Sequence, residues 1–321
     1  MSLVEKLKSR MALPVIGAPM FIVGVPALVI EQCKAGVIGS FPALNARPQE
    51  KLDAWLTEIE SALEAHRKAH PGAKVAPFAV NQIIHQSNDR LDKDLDDCVR
   101  HRVPMIITSL RAPNDVVKKV HEYGGVVFHD VISIRHAQKA LEAGVDGLIL
   151  VCAGAGGHAG ALSPFALLRE VRRFFSGPIA LSGSITDGDG ILAAEAMGAD
   201  FAYIGTRFIA TAEANAVPDY KQMILDHNAA DVVYTPFFTG VHGNYLKPSV
   251  VRAGLDPENL GPAEKTSMSF ASDRPVKAWK DIWGVGQGIG NIRDVLPVAE
   301  LVARLEKEYA AARARLQLVP A

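Results

Sequence analysis

Residues 151–160 read VCAGAGGHAG, directly after the apolar run VDGLIL at 145–150. Four glycines and one histidine, His158, thus follow a stretch with the composition of a buried strand. The spacing Gly154-x-Gly156-x-x-Ala159 fits the dinucleotide fingerprint formally, in which backbone amides at a helix start hold a pyrophosphate. Two readings compete: a loop that cradles phosphate, or a loop that brings a histidine to a reaction. The number of strands before it decides between them, and decides the fold.

Short β-branched runs recur with amphipathic stretches between them, the pattern of parallel strands joined by crossover helices. Strands are expected at 13–18, 36–41, 75–81, 103–108, 125–129, 145–151, 178–182 and 200–205, and helices at 47–69, 87–102, 114–123, 133–143, 164–175 and 187–197. Asn114, Ser133, Ser163 and Thr186 stand where helix caps are needed, and Gly124, Gly144 and Gly198 where helices stop. Eight strand and helix units predict an α/β fold, a (β/α)8 TIM barrel. The glycine stretch follows the sixth strand, whereas a dinucleotide fingerprint belongs to the first turn of a doubly wound sheet.

After Gly205 the repeat weakens. Residues 211–274 carry prolines and scattered aromatics, among them Tyr220, Tyr234, Phe237, Phe238 and Tyr245, without strand or crossover periodicity. They read as a helical insertion after the eighth strand that shapes a substrate pocket or a subunit contact, with a satellite core as the alternative. Residues 1–210 and 275–321 form the barrel on this reading. The tail at 296–316 returns to helical spacing, with Leu301, Leu305 and Tyr309 on one side, and is expected to close it.

Composition bounds the rest. The chain has 321 residues, 49% hydrophobic and 21% charged, with net charge −1, so it can bury a large core and shows no footprint for nucleic acid or an anionic membrane. The three cysteines lack metal or disulfide spacing, no run of about 18 apolar residues occurs, and the N-terminal stretch carries charges where a signal peptide is apolar. These features point to a soluble cytoplasmic protein acting on small molecules, with a homodimer left open. His85, His129, His136, His227 and His242 stand in no metal-ligand spacing, so no metal is expected.

In such a barrel the reactive groups stand at the carboxyl ends of the strands, and phosphate commonly sits after strands seven and eight. Those strands end in LSGSITDG at 181–188 and YIGTRF at 203–208. Gly183 and Gly205 allow close approach to an anion, and Ser184 and Thr206 add hydroxyls, so the paired loops read as one phosphate cup. Either loop alone reads equally well as a tight turn. His158 would stand at the mouth, its flanking glycines clearing space, and a neutral imidazole there can take a proton near neutral pH. His129 and Asp130 also end a strand at the mouth, where they could touch a cofactor ring; Asp130 could equally cap the next helix. The WGVGQGIG stretch at 283–290 follows no strand and reads as a structural turn, with Gln287 as a polar contact.

At these residues the chain resembles the FMN-dependent nitronate monooxygenase family, formerly called 2-nitropropane dioxygenases, which also includes enoyl-acyl-carrier-protein reductase II and some NADH:quinone reductases. The resemblance covers most of the chain. It rests on Gly17-Ala18-Pro19-Met20, on Ala79-Val80-Asn81, on 155–160, on 182–188 and on 204–208. It implies a flavoprotein oxidoreductase in which Ala18, Pro19, Met20 and Asn81 lie against FMN, Gly183, Ser184, Gly205 and Thr206 bind its phosphate, and Gly156 touches it. His158 falls on the family's proton-abstracting histidine. The implied reaction is oxidation of nitronates or nitroalkanes with oxygen to a carbonyl compound and nitrite. The alternative is an NAD(P)H-dependent flavin reductase acting on a quinone or enoyl thioester, and a third reading is a barrel that only binds FMN. Some relatives carry an acid where this chain has Gly154 and a lysine where it has Asp130.

Overall fold

The structure is a computed structural model that describes residues 1–261 and 279–317. Residues 262–274 of the expected insertion, 275–278 of the expected barrel and 318–321 lie outside the described residues.

The strands are β1 (Val15–Gly17), β2 (Gly39–Pro42), β3 (Phe78–Ile84), β4 (Met105–Leu110), β5 (Val126–Val131), β6 (Gly147–Val151), β7 (Gly157–His158), β8 (Ile179–Ser182) and β9 (Phe201–Ile204), followed by β10 (Val232–Thr235) and β11 (Gly243–Leu246). Eight of them form one sheet in the order β1-β9-β8-β6-β5-β4-β3-β2, with every pair parallel. A parallel bridge between Ile16 and Ile38 joins the two edges. The result is a nearly closed (β/α)8 barrel, as the strand count predicts. β-Branched and other apolar side chains fill both faces of these strands, because the interior and the helical shell each need a dry layer.

The interior layer contains Ile16, Ile38, Ala79, Ile107, Phe128, Ile149, Ala180 and Phe201, all fully buried. The larger cluster between strands and helices takes residues of the opposite parity, such as Val80, Ile106, Val127, Leu148 and Leu181. Period-two alternation alone produces this division.

Helix ends follow local chemistry, with some shifts from expectation. Ser133 caps Ile134–Glu142 by accepting from His136 N. Asp187, not Thr186, caps Gly188–Met197, accepting from Gly190 N. Ser163 makes no side-chain cap bond, and Asn114 is the first helical residue rather than a cap. Gly124, Gly144 and Gly198 end their helices at positive φ, where an αL residue closes the last turn.

The insertion after β9 contains the helices Pro218–Asp226 and Lys247–Arg252, but also β10 and β11, which the sequence did not reveal. β11 is the centre of a small antiparallel sheet, with β10 on one side and β7 on the other. The final helix, Val298–Gln317, packs against Gly188–Met197 and Pro26–Lys34, closing the outer ring between the last and first units. Leu301 and Leu305 are buried there and Tyr309 packs against the same core. Arg207, 1% exposed, ties the end of the barrel to this segment through Asp294 at 2.6 Å, which also pairs with Arg304.

Candidate active site

One step along the strands from the apolar interior layer, the same parity places Ala18, Ser40, Asn81, Ser109, Asp130, Val151, Ser182 and Tyr203 at the carboxyl end of the barrel. The interior therefore changes from dry to polar at the mouth. These groups are linked. Asn81 Nδ2 donates to Ile107 O at 3.3 Å and to Ser109 Oγ at 2.9 Å, and Ser109 Oγ donates to Asp130 Oδ2 at 2.7 Å. Asp130 Oδ1 and the Tyr203 hydroxyl are shielded from solvent without a hydrogen-bond partner among the described residues. Burial pushes the Asp130 carboxyl up to about 7, against the lowering effect of the Ser109 hydroxyl. Burial and the neighbouring Asp130 hold the Tyr203 phenol well above its ordinary value.

Asp130 is thus part of the barrel wall, and the helix cap is Ser133. His129 does not reach the mouth. Adjacent residues of a strand face opposite ways, so it is buried on the helix side, with Nδ1 2.7 Å from Thr108 Oγ1, and burial lowers its pKa to about 4.

The loops after β8 and β9 meet in one cleft lined by Gly183, Ser184, Thr186, Tyr203, Gly205 and Thr206, together with Gly154–Gly156. Gly183 has φ +135°, and a Cβ there would stand 2.8 Å from Ala153 O. Ser184 follows at φ +58°, the left-handed region where a non-glycine residue is strained. At Gly205 a Cβ would find nothing closer than Ala18 Cβ at 3.5 Å, so the glycine opens onto the cleft. No Asp or Glu lines this cleft among the described residues, and Thr186 Oγ1 is buried there without a partner. Leu110, the last residue of β4, and Ile22, in the turn that follows β1, also have positive φ. Arg102, before β4, has positive φ at the opposite end, so it is the run Gly183-Ser184 within the cleft that matches the strain found at functional sites.

The 283–290 turn backs this cleft. Gly286 N donates to Thr206 Oγ1 at 2.9 Å and Gln287 N donates to Gly154 O at 2.9 Å. A Cβ at Gly286 would stand 2.7 Å from Gly154 O, and one at Gly288 2.8 Å from Thr186 Cγ2. Close packing explains the glycines, and the Gln287 residue itself lies exposed at the rim.

His158 is held differently. The 154–160 stretch does not remain a free loop, because Gly157 and His158 pair as β7 with Asn244 and Gly243 of β11. Ala159 N donates to His242 O, Asn244 Nδ2 to Ala155 O, and the Tyr234 hydroxyl to Ala159 O. The imidazole Nε2 lies 2.7 Å from Thr239 Oγ1, in the turn between β10 and β11, and the ring meets Trp279 edge to face at 5.2 Å. Burial lowers the His158 pKa to about 4, so the ring is neutral at neutral pH. The sequence missed Thr239, Trp279, Ser109 and Tyr203. Ala18, Pro19 and Met20 are partly buried at the mouth, in a loop that Asn45 fixes through Met20 O and Gly24 O. No group of three or more metal-ligating side chains occurs among the described residues, and no described helix is long and apolar enough to cross a membrane.

Comparison with known proteins adds a family. A model described as nitronate monooxygenase matches residues 4–308. A nitronate monooxygenase of Paraburkholderia phytofirmans is 28% identical, covering 92% of each chain. Among solved structures, FabK from Thermotoga maritima superposes with TM-score 0.74 at 23% identity over 99% of this chain and 98% of its own. A nitroalkane oxidase from Streptomyces ansochromogenes superposes with TM-score 0.75 at 22% identity over 97% and 99%. At these identities the structural likeness establishes the barrel.

Proposed function

The chain belongs to the nitronate monooxygenase family, whose members are flavin-dependent, and from that premise we propose that it oxidises nitronates and nitroalkanes with bound FMN and molecular oxygen, giving a carbonyl compound and nitrite, with His158 as the base. As a family member it is an oxidoreductase of the nitronate monooxygenase type.

The observation that carries the reading is an acid-free, glycine-lined cleft whose Gly154–Gly156 edge continues directly into β7 and the neutral His158. The residues present fit a flavin mononucleotide. Its phosphate would be held by Gly183, Ser184, Gly205 and Thr206, where open amides and hydroxyls offer donors and no carboxylate repels a dianion. The unpartnered Thr186 and Tyr203 hydroxyls supply further polar contacts on the same wall. Ala18, Pro19, Met20, Asn81, Asp130 and Gly156 complete the enclosure, with Gln287 at the rim.

Held by these residues, FMN would supply the electron transfer between substrate and oxygen. The chain's own contribution is proton management. A neutral nitroalkane must lose a proton from carbon before it is oxidised, and His158 presents an unprotonated ring nitrogen for that transfer. A preformed nitronate needs no base. Trp279 and the insertion sheet pack against the partly buried histidine, and this desolvation favours its neutral ring.

The test is anaerobic mixing of the purified flavoprotein with propyl-2-nitronate and, separately, with NADH or NADPH. Bleaching of the flavin by nitronate, followed by nitrite release when oxygen is admitted, is the expected outcome. Bleaching by reduced nucleotide but not by nitronate would overturn the reading in favour of a pyridine-nucleotide-dependent reductase.

A further inference from the structure

The polar floor of the mouth contains a chain of hydrogen bonds whose direction is fixed by counting hydrogens. Asn81 Nδ2 donates to Ser109 Oγ, so the single Ser109 hydrogen is free to go to Asp130 Oδ2. Asp130 Oδ2 is then an acceptor, and the other oxygen, Oδ1, faces no donor and no acceptor among the described residues. The Tyr203 hydroxyl, on β9 in the same layer, is in the same condition. Buried polar atoms without partners are rare in folded proteins, and each calls for a role. Two of them in one layer at the mouth mark a surface that is completed by a bound group.

An acid in this setting has two states with opposite effects. Protonated on Oδ1, it is a hydrogen-bond donor to whatever occupies the mouth. Ionised, it places a negative charge against an occupant that itself becomes more negative on reduction. The groups that act on Asp130 are its burial and the Ser109 hydroxyl, and the titratable side chain coupled to it from another element is Tyr203. Val151 of β6, in the same layer, carries no charge. Tyr203 stays neutral at all ordinary pH values, so of this pair Asp130 is the one that titrates near neutrality.

We propose that Asp130 is the proton-holding group of the flavin site: as a neutral acid it donates from Oδ1 to the bound ring, and when the ring is reduced its ionised fraction takes up one proton from solvent at that oxygen. The electrons enter the ring from the reductant, the proton enters Asp130 from water, and no bond of the protein is broken. Ser109 and Asn81 act as positioning residues that keep Oδ2 an acceptor and so hold the proton on Oδ1. This inference rests on flavin binding at the mouth but not on the identity of the substrate.

The experiment measures the midpoint potential of the purified flavoprotein against pH, by dithionite titration with reference dyes, in the wild type and in Asp130→Asn. The amide keeps the shape and cannot ionise. One additional proton taken up per two electrons changes the reduction equilibrium tenfold per pH unit, about 30 mV per unit for a two-electron couple. The wild type is expected to fall more steeply than the variant, by about half that amount at neutral pH and by nearly all of it about one unit higher, where Asp130 is ionised before reduction. Parallel lines in the two proteins, with flavin bound in both, would overturn the inference while leaving the proposed function intact. Failure of the wild-type protein to hold any flavin would overturn both. Should Asp130→Asn not fold, reduced-minus-oxidised infrared spectra of wild-type protein labelled with 13C-aspartate give the answer. A label-sensitive carboxylic acid C=O band that grows on reduction is expected, and its absence at neutral pH overturns the inference.

Discussion

The two walls of the mouth are built by different means. The wall proposed to take the phosphate is local: Gly183 and Ser184 follow β8, Gly205 and Thr206 follow β9, and their shape is set by the backbone angles of those residues. The histidine wall is remote: His158 is held by Thr239, Gly243 and Asn244, more than eighty residues along the chain. A locally determined wall cannot be altered at its left-handed positions, Gly183 and Ser184, without straining the barrel. A wall made by pairing two distant segments can be retuned at the turn that carries Thr239, with the flavin cradle left in place.

Substitutions at Gly183 are expected to have the largest effect, because fold and cofactor fail together. At φ +135° a side chain is strained, and the Cβ would press on Ala153 O. Gly183→Ala is expected to cost about 1–3 kcal/mol of stability and to abolish stable flavin binding, read by urea unfolding and by the visible spectrum after gel filtration. Gly205→Ala is the control within the same wall. Its φ of −107° is open to alanine and the new methyl meets only ordinary contacts, so stability should be unchanged. Flavin affinity should fall at least about tenfold if this surface takes the phosphate as proposed, since the methyl would occupy it. Equal flavin binding by Gly205→Ala and wild type would show that this wall is a pair of turns and not a cradle.

At His158 the expected loss lies in chemistry alone. His158→Ala should retain flavin and lose about 100- to 10,000-fold in kcat/KM on a neutral nitroalkane, the usual contribution of a general base, with a much smaller loss on preformed nitronate. Because burial lowers the His158 pKa from 6.5 to about 4, the unprotonated form should persist well below 6.5. The acid limb of the nitroalkane profile should therefore appear only as pH falls through about 4. Equal losses on both substrates would remove the proton-abstraction role.

The same contrast explains what the sequence made legible. Barrel strands announce themselves because most are runs of β-branched and apolar residues separated by amphipathic stretches, and all eight lie within a few residues of their expected positions. The phosphate-side residues come together because their loops are neighbours in sequence as well as in space. β7 is two residues long and exists only through its pairing with β11, so no local pattern could reveal it, and Thr239 and Trp279 went unrecognised with it. Ser109 and Tyr203 were within reach. Counting in steps of two from the apolar interior positions Ile107 and Phe201 arrives at both, and the same count separates Asp130, facing the interior, from His129, facing the helices.

The smallest effect expected is at Thr239, and it tests whether the remote wall orients the base as well as placing it. Thr239 Oγ1 donates its only hydrogen to Val241 O at 3.1 Å, so toward His158 Nε2 at 2.7 Å it can act only as acceptor. Nε2 then carries the ring hydrogen, and Nδ1 keeps the lone pair that can take a proton. Thr239→Val preserves the shape and removes the acceptor, which lets the ring exchange tautomers and leaves the Nε2 hydrogen unpaired. A neutral hydrogen bond contributes about 1 kcal/mol, so nitroalkane turnover should fall about fivefold to tenfold in kcat with KM little changed. Activity on preformed nitronate and flavin content should stay at wild-type values, because neither depends on a ring lone pair. Loss of flavin from Thr239→Val would mean that the two walls are mechanically one, whereas unchanged nitroalkane turnover would mean that β7 pairing alone fixes the histidine.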